Sequence, residues 1–486
     1  MSPVGRAAPA VRVPLLIGGK PTEGRGTFEV RDPGRFTDVV ALVEEAGPEH
    51  VDAAVRAAAG AAADWRDRSV AERVALLGAA VSAVESAIGE LSPLLTRENG
   101  GTLVESRMDL TRGAALFRDL LGLAPQFLAP RTTETATHRL SVERVPVGVV
   151  ALIVPWNSPI VLTLSKLAPA LVSGNTAVVK PSVLAPVTLT EVLRTIADGL
   201  PPGVLNVVHG DAEAGSTLVA HPSVRKVSFT GSVPVGRQIM ADAAGGVKRV
   251  SLELGGNDAA VVLDDADFAA AVPALAKGAF TRAGQICFAV KRVYVPAGRI
   301  DAFHEQMCAE VDGYRVGHGT DERTTFGPLI SARERDRVRG LVRRAREAGA
   351  EVRELGRPTD SVDWEGGNYL LPTVVSGLDP RAELVTVEQF GPVLPLVPYQ
   401  DEDEAVALAN DSEYGLASSV WSTDTDRALR VARRIEAGAT FVNSHNLWSL
   451  SFDMPFGGVK QSGLGRERTA LGLQEYVEEH AIRLTK

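Results

Sequence analysis

The sequence predicts an α/β protein built on parallel sheets of a nucleotide-binding type. Three observations carry this. From residue 147 onward, apolar strand-like runs alternate with helical patterns, the signature of βαβ units whose sheet is covered on both faces. Glycine is abundant, 47 of 486 residues, which implies many tight turns and close backbone approaches. Composition is ordinary for a folded chain, 45% hydrophobic and 23% charged. At ~150 residues per domain the length suggests about three domains or lobes. A core of that size needs neither disulfide nor metal, and no metal site is expected.

The elements follow in order. "PLLIGGK" and "TFEVRDP" read as strands. "PEHVDAAVRAAAGAAADWRD" has Ala-rich 3.6-residue periodicity and an acidic start, so it reads as an amphipathic helix. Helical patterns continue to about residue 128, and "HRLSVERVPVG" is extended. Then "VGVVALIVP", "NTAVVKPS", "VLNVVHG" and "VRKVSFTGS" are strands, separated by helices. A second alternation follows "SLELGGNDAAVVL". It includes the strands "KRVYVP", "YLLPTVVSGL" and "GPVLPLVPY" and the highly charged helix "SARERDRVRGLVRRAREAGAEV". "EYVEEHAIRLTK" is a strand-like tail. No repeat of 20–50 residues is present.

Composition also excludes function classes. Net charge is −9, and no basic stripe marks a nucleic-acid face. Residues 145–165 carry no charge, but Pro146, Pro155, Asn157 and Pro159 interrupt them. A buried strand, a turn and a helix are therefore expected rather than a membrane span. The N-terminus has no clean apolar stretch, so no leader is expected. Two cysteines make no disulfide framework, which fits a reducing, cytoplasmic setting.

Five short stretches offer chemistry. Cys287 in "AGQICFAVKRVYV" lies among small and turn residues between a helix and a strand, where functional side chains are presented. A lone cysteine is more often a small buried hydrophobe, and Cys308, on a helix with Phe303, Met307 and Val311, fits that description. Glu253 in "SLELGGND" ends an apolar strand, where burial would raise its pKa toward a general base's; bonding to the two following glycine amides is the alternative. Asn157 in "IVPWNSP" could donate to an oxyanion or form an Asx-turn. Lys180 in "VVKPS" sits at a strand end. "FTGSVPVG" places Gly231 and Ser232 before a helix start and Gly236 one turn in, where backbone amides bind phosphate.

Together with "EQFGPVLP" and "PFGGVKQSGLGRE", these stretches, in this order, resemble the aldehyde dehydrogenase superfamily over essentially the whole chain. The resemblance implies a Rossmann-like cofactor domain (1–130 and 149–255), an α/β catalytic domain (256–461) and a small β oligomerisation hairpin (131–148 and 470–486). It implies that Cys287 attacks the aldehyde carbon and that the amide of Asn157 and the Cys287 backbone N–H hold the oxyanion. Glu253 would activate the water that releases the acid, with Lys166 and Glu467 in a proton relay. On the cofactor, Lys180 and Glu388 would bond ribose hydroxyls, Ser232 the pyrophosphate, and Phe390 the nicotinamide side, with Trp156 and Gly231 lining the cleft. Ile286, Phe288, Val161, Leu162 and Phe456 would wall the substrate pocket. A homodimer or homotetramer is implied. A CoA-acylating semialdehyde dehydrogenase is the near alternative, but acylating members generally lack the base at Glu253. A non-catalytic protein of the same fold would have lost Cys287 or Glu253. A cofactor-free cysteine hydrolase would need a Cys–His signature that the eight histidines do not supply.

Three departures bear on specificity. Many NAD-preferring members carry Glu where this chain has Val183. Its loss removes an acceptor for the 2′-hydroxyl and a repulsion against a 2′-phosphate. NADP use then becomes feasible through Lys180 and Ser182, with NAD kept ahead on family preference. Ser165 stands where many members have a large aromatic, and the 443–455 loop is about two residues longer than usual, with Trp448 and Phe452 able to refill the space. A substrate larger or differently shaped than acetaldehyde is expected.

Overall fold

A computed structural model describes residues 11–486; residues 1–10, and with them most of the expectation about a leader, lie outside the described residues, as does the side chain of Trp448. Two sheets organise the chain. The first has eight strands in the order Gly463–Leu464, Arg249–Glu253, Val224–Thr230, Val149–Ile153, Thr176–Lys180, Leu205–Val207, Leu15–Ile17 and Lys20–Thr22. Its middle five strands are parallel and its two margins antiparallel. The second has seven strands, and Val290–Pro296, Asp258–Val262, Ala417–Trp421 and Val393–Tyr399 form its parallel centre. The apolar runs that predicted parallel strands are fully buried, as in Val149–Ile153 and Thr176–Lys180.

Local chemistry explains the element ends. Helix Pro48–Asp67 opens on proline, whose missing N–H is no loss at a first turn. Helix Val70–Asn99 starts at Ser69 with a reciprocal Ser69–Glu72 capping box and stops at left-handed Gly100. This helix is long and apolar enough to cross a membrane by length and composition. It instead buries Leu77, Val81, Val84 and Leu95 against helices Leu103–Leu128 and Val187–Asp198. The uncharged stretch 145–165 divides as expected into the strand Val149–Ile153, a turn, and the start of helix Pro159–Val172. An eleven-residue strand, Arg35–Glu45, was not anticipated; its "VVALVEE" lacks strict alternation because both faces are partly covered.

A third small sheet pairs Val477–Thr485 with His138–Pro146, and the latter with Arg131–Glu134, all antiparallel. After Val477 every residue of the outer strand is exposed.

Candidate active site

The cleft between the two large sheets collects the ends of parallel strands. Lys180 and Glu253 are the last residues of their strands, Trp156 and Asn157 follow Val149–Ile153, and Gly231 and Ser232 follow Val224–Thr230. The C-terminal edge of such a sheet is where open α/β folds bind ligands.

Cys287 comes from the other lobe. Helix Phe268–Phe280 ends, and Arg282, Ala283 and Gly284 adopt left-handed φ values of 53°, 52° and 73°. Two of these are non-glycine residues, a strained arrangement that persists only where surroundings over-determine it. The surroundings do so here. Arg282 donates to the Asn157 and Glu105 carbonyls, and Gln285 accepts from Ile330 N at 3.0 Å. At Gly284 a side chain would meet the Gly391 carbonyl at 2.3 Å. Asn157 Nδ2 donates to the Gln285 carbonyl at 2.9 Å, so the amide is tied to the cysteine loop. An amide nitrogen has two hydrogens, and the second stays available.

Cys287 borders a cleft lined by Val161, Leu162, Ile286, Phe288 and Phe456, together with Arg112, Asn157, Leu450 and Arg468. Phe288 packs edge-on against Phe456 at 5.8 Å. Burial pushes the thiol up to about 12, opposed by the nearby charge of Lys291. Lys291, four residues on, is 1% exposed, donates to the Ile286 carbonyl and lies 5.6 Å from the Phe390 ring centroid.

Glu253 is 4% exposed, and its Oε2 is buried without a hydrogen-bond partner. Burial first, and the charge of Glu467 second, hold its carboxyl well above the usual range. The glycine-amide alternative fails, because Gly256 N–H goes to Glu388 Oε1 at 3.1 Å. Beside it, Lys166 Nζ pairs with Glu467 Oε1, and Ser165 Oγ donates to Glu467 Oε2 at 2.9 Å. Ser165 therefore does not line the cleft at Cys287. It faces a separate small cavity with Glu467 and Tyr476, because its position on helix Pro159–Val172 turns it toward the C-terminal segment.

On the cofactor side, Trp156 and Phe390 meet edge-on at 5.8 Å, and Phe390 itself has φ 44°. Burial raises Glu388 to about 7 and lowers Lys180 to about 8. Among the described residues the Lys180 ammonium has only the Pro181 carbonyl, at 3.5 Å, as acceptor. Ser232 opens helix Val233–Ala244 with no side-chain cap bond. Two glycines behave differently from expectation. Gly236 N–H is consumed by the Ser232 carbonyl, and its bare Cα lets Leu254 approach, so it packs the helix and does not donate to phosphate. Gly231 N–H likewise goes to the Glu253 carbonyl. Ser182 Oγ accepts from Leu184 N at 3.3 Å, and Val183 is half-buried in the same turn. Among the described residues no cluster of His, Cys, Asp and Glu gathers as a metal site.

Sequence reasoning missed several residues here. Arg282, Asp109, Lys291, Arg112 and Arg468 all border the thiol or its cleft. Lys291 carried one available signal, a lysine beside Arg292 inside the largely apolar strand run "AVKRVYV".

A partly buried thiol and an amide donor on one cleft, with a desolvated carboxylate whose charge reaches the thiol, define a site suited to covalent thiol chemistry. The chain belongs to the aldehyde dehydrogenase family, which it matches over residues 20–482. Solved structures agree in fold. Betaine aldehyde dehydrogenase from Staphylococcus aureus, in complex with NAD+, is 32% identical with TM-score 0.92, over 97% of this chain and 94% of its own. An Escherichia coli NADP-dependent enzyme is 33% identical with TM-score 0.93, over 98% of each chain. HpcC from Thermus thermophilus is 35% identical with TM-score 0.93, over 98% of this chain and 93% of its own.

Proposed function

We propose that this chain oxidises an aldehyde to its carboxylic acid through a covalent bond to Cys287, with NAD or NADP as hydride acceptor. The observation that carries the reading is Cys287 and Asn157 lining one cleft, with the buried Glu253 carboxylate, whose Oε2 lacks a hydrogen-bond partner, close enough for its charge to act on the thiol. Glu253, raised by burial, takes the proton of the neutral thiol, and Sγ attacks the aldehyde carbon. The Asn157 amide and the Cys287 N–H hold the oxygen of the thiohemiacetal, where one such donor is worth about 3–4 kcal/mol. When bound, the cofactor accepts the hydride that converts the thiohemiacetal to a thioester. Glu253 then deprotonates the water that releases the acid, and the Lys166–Glu467 pair passes that proton onward.

The residues present suit a dinucleotide. The nearly unpaired Lys180 and the Glu388 carboxylate would hold ribose hydroxyls. Ser232 and the helix it opens would meet the pyrophosphate, and the Trp156–Phe390 corner would bound the nicotinamide. Val183 leaves NADP feasible; Val183→Glu should lower the NADP-to-NAD ratio of kcat/KM, and an unmoved ratio refutes that assignment. The exposed outer strand Val477–Thr485 supports pairing with a second copy as a dimer or dimer of dimers. The two free cysteines suit a cytoplasmic setting. The test is absorbance of reduced cofactor over an aldehyde panel with both cofactors. Cys287→Ala should abolish the signal while cofactor binding persists; turnover by that variant would refute the assignment.

A further inference from the structure

The cleft that holds Cys287 is walled on one side by two arginines that its apolar character does not call for. Arg468 is 8% exposed, and its guanidinium lies 5.3 Å from the Phe456 ring centroid; Phe456 in turn packs on Phe288, the neighbour of Cys287. Arg112 is half-buried on helix Leu103–Leu128, 5.3 Å from the Phe452 ring centroid. Both border the same cleft as the thiol. Among the described residues neither has a carboxylate within ion-pairing distance. Their hydrogen bonds go to main-chain carbonyls of the long loop: Arg112 to Leu450 at 2.7 Å, and Arg468 to Ser451 at 3.4 Å. Burying a cation without a paired anion is unfavourable: burial holds Arg468 down to about 10, the charges of Glu467 and Glu253, neither ion-paired with it, oppose this, and the charge of Arg112 adds to it.

The backbone adds a second observation. Arg468 has φ 63° and ψ 173°, a conformation that glycine adopts freely and a residue with a Cβ rarely does. A large cationic side chain at such a position is held there against local strain. The one buried acid on the cleft wall, Asp109, is already matched: it accepts from Ile160 N and Val161 N and lies 3.9 Å from Arg282. On the cleft wall, Arg112 and Arg468 are thus left without an ion-paired acid among the described residues.

We propose that Arg112 and Arg468 form an anion subsite, so that the preferred aldehydes carry a carboxylate or phosphate at the end remote from the carbonyl. The proposal rests on Cys287 as the nucleophile. The anion completes the charge that the two guanidiniums lack, and Phe288 and Phe456 guide the chain between the subsite and the sulfur. A guanidinium–oxyanion pair is a charge-assisted hydrogen bond, and its loss is worth roughly 10- to 100-fold in specificity.

The test compares, in the full-length enzyme with either cofactor, ω-oxo-carboxylates such as succinic semialdehyde with their methyl esters at each chain length. Glyceraldehyde 3-phosphate against glyceraldehyde forms the phosphate arm, and the arm with the larger preference identifies the anion. The wild type should prefer the charged member of a pair by roughly 100-fold in kcat/KM, with the preference shrinking as salt rises. Arg468→Leu and Arg112→Leu should each cut that ratio about tenfold or more, mainly through KM, while Arg468→Lys retains part of it. Because the wild type alone decides the first comparison, a variant that misfolds leaves the test intact. Equal rates on acids, esters and phosphates overturn the subsite but leave the aldehyde-oxidising reading standing. Failure of every aldehyde by a folded, cofactor-binding enzyme overturns both.

Discussion

Asn157→Ala removes two hydrogens with separable effects. One is donated to the Gln285 carbonyl at 2.9 Å, and Gln285 is 3% exposed. Leaving that buried carbonyl without its donor should cost about 1–3 kcal/mol of stability, read as a lower denaturant midpoint. The other hydrogen has no acceptor among the described residues, and Asn157 lines the cleft beside Cys287. Losing it removes a donor that acts on the developing oxyanion, about 3–4 kcal/mol, or roughly 100- to 1,000-fold in kcat. The effect should fall on kcat and kcat/KM alike, because the interaction strengthens in the transition state. Steady-state cofactor reduction measures it, and alkylation of Cys287 by iodoacetamide verifies that the thiol is still presented. A kcat loss below about tenfold, or a loss borne entirely by KM, would refute the oxyanion role and leave Asn157 as a tether for the cysteine loop.

Other predictions follow from the charges around the thiol. Burial pushes Cys287 up to about 12, so in the cofactor-free enzyme the thiolate fraction should climb about tenfold per pH unit from about pH 7 to 10. In a Cys308→Ser background, an iodoacetamide rate that levels off below about pH 9 contradicts this. Glu467→Gln removes an anion that raises Glu253. The Glu253 pKa then falls, its deprotonated form survives to lower pH, and the acidic limb of kcat should move down; an upward or absent shift counts against the relay. Ser165→Trp should destabilise the fold by about 1–3 kcal/mol through overpacking beside Glu467. If it instead stays fully stable and re-ranks aldehydes, Ser165 faces the substrate after all.

Much of the fold was legible because its signals are local. Apolar runs and period-3.6 patterns located most strands of the first sheet and part of the second, and the cap at Ser69 and the left-handed Gly100 agree with the helix between them; the strands Ala417–Trp421 and Ala439–Val442 were not read, and the charged helix read to Val352 ends at Glu347, before the strand Glu351–Glu354. The strand Arg35–Glu45 escaped, since its pattern depends on which faces other segments cover. The candidate site was legible in its motif residues and much less so in its electrostatics. Arg112, Arg468 and Lys291 lack any local signature of function. Their significance comes from burial with no ion-paired carboxylate among the described residues, and for Arg112 it depends on a loop 338 residues further along the chain. Gly236 and Ser165 show the converse: their place in sequence suggested ligand contacts, and packing gave them to Leu254 and Glu467.

The sequence by itself determined the two-sheet α/β architecture, the reactive residue types and their order along the chain. It did so because hydrophobic period and turn chemistry act over a few residues. Only the tertiary structure decided which side chains share the cleft with Cys287, that Glu253 is left without a hydrogen-bond partner, and that two arginines face the cleft unmatched. Proximity, desolvation and charge balance are properties of contacts between distant segments, and they exist only once the two lobes have closed on each other.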